Sequence, residues 1–389
     1  MNPDRTSLEW LTKLISFDST SHRSNLDLIA EIHDFFDAQN IKTRLTHDPA
    51  GKKANLFATL PAHDNAITGG LVLSGHTDVV PVNGQSWETD PFCATLIGER
   101  VYGRGTSDMK AFIAVTLALV PEFKQMKLAK PLHFAFSYDE EVGGHGALVL
   151  IADLQKEGIH PDGCIVGEPT ELRPMVAHKG IYLFHCRLQG QAAHSSLTHQ
   201  GCNAIEYSAQ LICWIRQLAD RLKQQGPFDR HYDVPFTTLS VNRIQGGNAN
   251  NIIPAFCEFF FEVRNLPTMD PQQLLQPLHD YIAEDLLPKM RREYPQASIK
   301  IEPIATVPAF EASEQAPLTQ LLRQLRQEKQ IFKVAYATEA GLFQQAGIPT
   351  ILCGPGSIEQ AHRANEFIAI SEIHRCENVL RDLAKSMID

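Results

Sequence analysis

Asn55-Leu-Phe-Ala-Thr-Leu60, Gly70-Leu-Val-Leu-Ser74, Leu132-His-Phe-Ala-Phe-Ser137 and Gly163-Cys-Ile-Val166 are short apolar runs without strict alternation, each stopped by turn residues. A strand covered on both faces reads this way, whereas a half-exposed strand alternates. Helical spacing over 109–122 and 145–156 separates several of the runs. The same period marks 7–17 and 25–39, where Leu26, Leu28, Ile29, Ile32, Phe35 and Phe36 share a broad stripe. Strands alternating with helices predict an α/β domain on a central, mostly parallel sheet.

From about Ile181 the pattern changes. Residues 181–188 alternate as a strand, 203–222 are helical, 237–244 and 255–263 read as two strands across the turn-rich Gly246-Gly-Asn-Ala-Asn-Asn251, 271–290 are helical and 298–303 form a last strand. This βαββαβ unit carries none of the acidic ligand candidates, and another buried-strand run, Thr350-Ile-Leu-Cys353, follows it. The expected organisation is therefore one α/β domain, 1–179 and 306–389, split by an inserted ferredoxin-like domain at 180–305. A chain of 389 residues with 43% hydrophobic composition has material for two such cores.

Composition narrows the partners. Forty-five acids against 35 bases, a net charge of -10 and no basic stripe argue against nucleic acid. Neither a secretory segment nor an uncharged run long enough to span a bilayer is apparent, so a soluble cytoplasmic protein without a membrane partner is expected. The eight cysteines form no CxxC pair, and most lie in apolar runs, as reduced structural thiols do.

His76, Asp108, Glu140, Glu141, Glu168 and His362 lie beside glycine-rich turns or just beyond apolar runs. The carboxyl ends of strands are where open α/β sheets place their ligands. Each residue alone has a bland reading: a structural histidine, a helix N-cap for Asp108, a solvated acidic turn for Glu140 and Glu141. Together they read as a two-metal hydrolytic centre. Imidazole and carboxylate ligands without thiolates suit zinc, cobalt or manganese, and two such ions can polarise a carbonyl and activate a water. Asp78, two residues after His76, can orient that imidazole, and the adjacent Glu140 and Glu141 can divide proton transfer from ligation. No GxGxxG follows a strand and no GxxxxGK[ST] occurs, so nucleotide cofactors have no support. In the inserted segment, His194 in Gly190-Gln-Ala-Ala-His194-Ser-Ser196 is either a hydrogen-bond donor for the reaction or part of a polar loop. Asn251 and Arg264 could read a substrate carboxylate, although a surface salt bridge is an equal fate for Arg264.

Ser74-Gly-His76-Thr-Asp78-Val-Val-Pro81, Trp87-Glu-Thr-Asp-Pro-Phe92, Tyr102-Gly-Arg-Gly-Thr-Ser-Asp108-Met-Lys110, Asp139-Glu-Glu141, Gly167-Glu-Pro169 and the late His362 resemble the M20 family of metallopeptidases and deacylases, over nearly the whole chain. Ala177-His-Lys-Gly180, Ala337-Thr-Glu-Ala340 and Gly354-Pro-Gly-Ser357 with Gln360-Ala-His362 point to its deacetylase branch. The resemblance implies one metal ion on His76, Asp108 and Glu168 and a second on Asp108, Glu141 and His362, with zinc favoured and cobalt possible. It implies Glu140 as general base and acid, Asp78 as the orienting partner of His76, and His194 as a donor supplied across a homodimer. The inserted domain would be a lid and dimerisation domain. An N-acyl amino acid is the implied substrate, with Asn251, Arg264 and Lys179 as its contacts and Glu339 facing a side-chain ammonium. Ala111 stands where relatives usually have glycine, a departure expected to bear on packing. A related desuccinylase, aminoacylase or dipeptidase would share the chemistry; a metal-dead scaffold would not keep the whole ligand set.

Overall fold

The computed structural model describes residues 5–388. It divides into two compact units: one holds the chain up to Ala177, Glu311–Lys333 and the chain from Thr338 on, the other His178–Phe310 with Val334–Ala337.

The larger unit is built on a mixed sheet whose central run, in spatial order, is Thr43–His47, Ala54–Leu60, Leu132–Ser137, Leu71–His76, Gly163–Pro169 and Thr350–Gly354. The last four are mutually parallel, and the first two join antiparallel at the flank. Every residue of Leu132–Ser137, Gly163–Pro169 and Thr350–Gly354 is buried, which explains their unbroken apolar texture. Lys110–Phe123 is apolar on all sides because it is enclosed, packing against the sheet, Ser7–Ile15 and Ile370–Lys385. Ala111 is buried in its first turn. The approach of this helix to the sheet depends on Gly167, where a Cβ would fall 2.0 Å from Phe112 Cγ. That glycine sits immediately before Glu168, so close packing and ligand placement share one strand end.

Register aligns the carboxyl ends. His76 pairs opposite Ser137, and Ser74 opposite Val166, so the turns that follow open on one edge of the sheet. Leu71–His76 lies between Leu132–Ser137 and Gly163–Pro169, so the chain crosses over to place it there.

The second unit has the order Thr238–Gly246, Phe256–Arg264, Ile181–Gln189, Ser298–Val307, all antiparallel. Alternation turns Cys257, Phe259, Phe261 and Val263 inward onto Leu211, Ile215, Leu278 and Leu286 of the covering helices. Asn203 caps Ala204–Gln225 by accepting from the Ile205 and Glu206 amides. The single helix expected over 271–290 is instead Pro271–Tyr281, a π-helical turn Ile282–Leu286, and Leu287–Glu293. Pro288 has no N–H to return to Glu284, which removes one α-helical bond where the wider turn occurs. All eight cysteines are unpaired, with Cys93 and Cys213 exposed and the rest buried. No described helix is long and apolar enough to cross a membrane.

Candidate metal centre

His76 closes its strand with the imidazole buried. Its Nδ1 lies 2.9 Å from the main-chain oxygen of Asp78, which can only accept, so Nδ1 carries a proton and Nε2 is the nitrogen left for a cation. That Nε2 faces Asp108 Oδ1 at 3.0 Å and Glu168 Oε1 at 4.0 Å. The Asp78 carboxylate is farther from Nδ1, at 3.6 Å, and has other partners. It accepts from the Ser21 hydroxyl at 2.7 Å and from the backbone amides of Glu140 and Glu141 at 3.1 and 3.3 Å. Asp78 therefore reaches His76 mainly through its backbone, while its side chain fastens the acidic turn beside that histidine.

Asp108 precedes Lys110–Phe123 and presents its second oxygen, Oδ2, to His362 Nε2 at 3.4 Å. The same His362 nitrogen lies 3.1 Å from Glu141 Oε2. Two triads thus share one carboxylate: the ligand atoms of His76, Asp108 and Glu168, and those of Asp108, Glu141 and His362, each fall within 4.8 Å of one another. His362 has a left-handed backbone, φ 63°, that aims the imidazole back toward the sheet edge.

The electrostatics call for cations. Burial, then the crowding of Glu168, Glu141 and Asp108, pushes the Glu140 carboxyl well up against the pull of His76. Glu168 is raised in the same way, by burial and by Asp108. Burial would also raise Asp108, yet the His362 and His76 imidazoles hold it below the ordinary value. Asp108 and Glu141 push the His362 imidazole up to about 10 against the effect of burial. Imidazole nitrogens and carboxylate oxygens converge on the same space, an arrangement that divalent ions stabilise. Glu141 Oε1 is a buried oxygen with no hydrogen-bond partner, as a carboxylate with a ligating role would be. The residues present fit two oxygen- and nitrogen-ligated divalent ions.

Glu339 is held by hydroxyls of the central sheet. It is 1% exposed, and its two oxygens accept the hydroxyls of Ser74 at 2.6 Å and Ser137 at 2.7 Å. Each of its oxygens thus already accepts one hydrogen bond, which braces the strands that lead to His76 and Glu140. Sequence reasoning also missed Lys53, whose ammonium donates to Asp139 and to the Ser21 carbonyl behind the acidic turn. One of two adjacent lysines, Lys52 and Lys53, in a polar loop gives no local signal of that role.

The remaining candidates belong to the second unit. The two-residue strands Ala193–His194 and Ile252–Ile253 pair, and Ser195 N donates to Asn251 O at 3.0 Å, which puts His194 and Asn251 on one exposed ribbon. The Ser196 amide donates to His194 Nδ1 at 3.2 Å, so in the neutral imidazole the proton is on Nε2. Lys179 is buried and donates to Phe236 O at 2.6 Å. Burial and the neighbouring Arg264 charge bring its ammonium down to about 8. Arg264 also pairs with Glu262 at 3.1 Å, so the salt bridge weighed from sequence exists.

The comparisons with known proteins agree with this geometry. Residues 72–386 match the model of peptidase family M20/M25/M40. The chain is 36% identical over 347 residues to the acetylornithine deacetylase of Shigella sonnei strain Ss046, covering 89% of this chain and 87% of that protein. In fold it is similar to an M20 family metallo-carboxypeptidase from Sulfolobus solfataricus, with TM-score 0.74, 17% identity and coverage of 98% and 99% of the two chains. It also matches a tripeptidase from Staphylococcus aureus, with TM-score 0.72, 19% identity and coverage of 100% and 99%. With two carboxylate–imidazole triads at the sheet edge and a family match over residues 72–386 that takes in the insertion, the chain belongs to the M20 family of metal-dependent hydrolases.

Proposed function

We propose that this protein hydrolyses N2-acetyl-L-ornithine to L-ornithine and acetate, as a cytoplasmic homodimer serving arginine biosynthesis. The pair of triads joined by Asp108 beside Glu140 is the observation that carries the chemistry. The 36% identity to an acetylornithine deacetylase supports the substrate. His76, Asp108 and Glu168 would hold one divalent ion, and Asp108, Glu141 and His362 the other, with zinc as the first choice and cobalt a competent substitute. Bound there, the ions supply Lewis acidity to the acyl carbonyl and make water acidic enough to attack near neutral pH.

The chain's own groups do the rest. Glu140 takes the proton of the attacking water and returns it to the amine as the C–N bond breaks. Asp78 fixes both the tautomer of His76 and the turn that presents Glu140. His194, supplied across the homodimer with its proton on Nε2, donates to the negative charge that develops on the carbonyl oxygen. Asn251, Arg264 and Lys179 are assigned to the substrate carboxylate, and the Lys179–Arg264 pair of neighbouring cations supports that assignment. A steady-state comparison of acetylornithine with succinyl-diaminopimelate, in zinc and in cobalt, is the test. Fast turnover of the succinyl substrate beside negligible turnover of acetylornithine would move the protein to a different member of the same family.

A further inference from the structure

Outside the ligand set, the most heavily used carboxylate near the centre is Glu366, which is buried. Oε2 accepts from Arg104 Nη1 at 2.8 Å and from the Gly105 amide at 3.0 Å. Oε1 accepts from the Ser107 amide at 2.8 Å and the Asp108 amide at 3.1 Å. One side chain thus gathers the backbone leading into the shared ligand. Glycine at 105, with φ 84°, lets the chain curl so that its amides converge on one carboxylate.

The guanidinium held by Glu366 turns outward to the other loop. Arg104 Nη1 also donates to Arg363 O at 3.1 Å, Nη2 donates to Gln85 Oε1 at 2.6 Å, and the group lies 5.1 Å from the centroid of the Trp87 ring. Gln85 Nε2 then donates to the main-chain oxygen of His362 itself at 2.8 Å. His362 and Asn365 both have left-handed backbones, with φ 63° and 57°, which non-glycine residues keep only where their surroundings hold them. Asn365 Oδ1 accepts from the Glu88 amide at 2.8 Å, so the segment carrying Gln85, Trp87 and Glu88 grips the His362 loop at two points.

We infer that Glu366, Arg104 and Gln85 form a positioning clamp that fixes Asp108 and His362 relative to one another and so sets the affinity of the second metal site. None of the three supplies a ligand; they act through the backbone of those that do. Outer partners of this kind change metal affinity by roughly 10- to 100-fold when removed. The inference rests on the two-metal reading and adds to it a separate set of residues.

The test is titration of the metal-free full-length protein with Co2+, followed by visible absorption and calorimetry, with circular dichroism as a check of folding. Wild type takes up two equivalents. Gln85→Ala leaves the Asp108 loop bonded and releases His362, so the second equivalent weakens by about 10-fold or more while the first is unchanged. Glu366→Gln loosens the shared Asp108 and weakens both. Unchanged second-ion affinity in Gln85→Ala overturns the clamp, whether or not Glu366→Gln folds, and so does a folded Glu366→Gln that binds both ions as wild type does. A wild-type protein that takes up fewer than two ions sinks the two-metal reading instead, and the clamp with it.

Discussion

In the larger unit, the groups assigned to chemistry are packed at strand ends and tied by several hydrogen bonds each: Asp78 accepts three in its side chain, and His76 is fixed at both nitrogens. In the second unit His194 is exposed on a two-residue strand, and its side chain bonds locally, to Ser196. The difference teaches what each has to do. Crowded carboxylates repel one another and must be held by rigid surroundings before any cation arrives. A single donor with no like charges crowded against it has no such cost and can sit on a short ribbon.

That contrast can be broken from either side. Replacing the shared ligand, Asp108→Ala, has the largest expected effect: both ions are lost or weakened, and activity falls to background, as metal analysis and a deacetylation assay would report. Normal metal content in that variant would contradict the two-triad geometry. Glu140→Gln should keep both ions and the fold yet lower kcat by about 10²- to 10⁴-fold, the range for a positioned acid-base group. A variant with near-normal kcat would take Glu140 out of proton transfer. His194→Ala should lower kcat by roughly 10²- to 10³-fold with metal content untouched. Being exposed, it should shift stability by no more than about 0.5 kcal/mol. A large loss of stability there would mean that the ribbon is structural after all.

How much of this was readable in the sequence follows the same division. His76, Asp108, Glu140, Glu141, Glu168 and His362 each follow an apolar run or a glycine turn, which put them on a shared list; the family resemblance divided that list into ligands and a general base. The βαββαβ order was legible because a half-covered sheet imposes alternation, as in Cys257, Phe259, Phe261 and Val263. Contacts decided by side-chain torsion were not. Nothing in the spacing of His76 and Asp78 says that the carbonyl rather than the carboxylate meets the imidazole. Glu339 looked like a free charge because its serine partners, Ser74 and Ser137, come from strands distant in the chain. Glu366 was invisible for a related reason: three of its four partners are backbone amides, which every residue but proline carries.

The smallest expected effect tests whether the larger unit holds charge rigidly away from the centre too. Lys110 is buried at the start of its helix, and its ammonium donates to Leu14 O at 3.0 Å and Phe17 O at 2.9 Å. Burial brings it down to about 7, although Asp18, Glu366 and Asp78 oppose the shift. Its ordinary value is near 10.4, so between about pH 7 and 10 the unfolded chain binds more protons here than the folded one. Stability must therefore rise with pH across that window, by at most about 1.4 kcal/mol per pH unit for one proton, and level off below it. Lys110→Met removes the titration while leaving two carbonyls unpaired, which costs about 1–3 kcal/mol at every pH. Urea unfolding of both proteins at pH 7 and pH 9 separates the two effects. The wild-type advantage should be smaller at pH 7 than at pH 9; an advantage independent of pH would mean that the ammonium is solvated well enough to stay charged throughout.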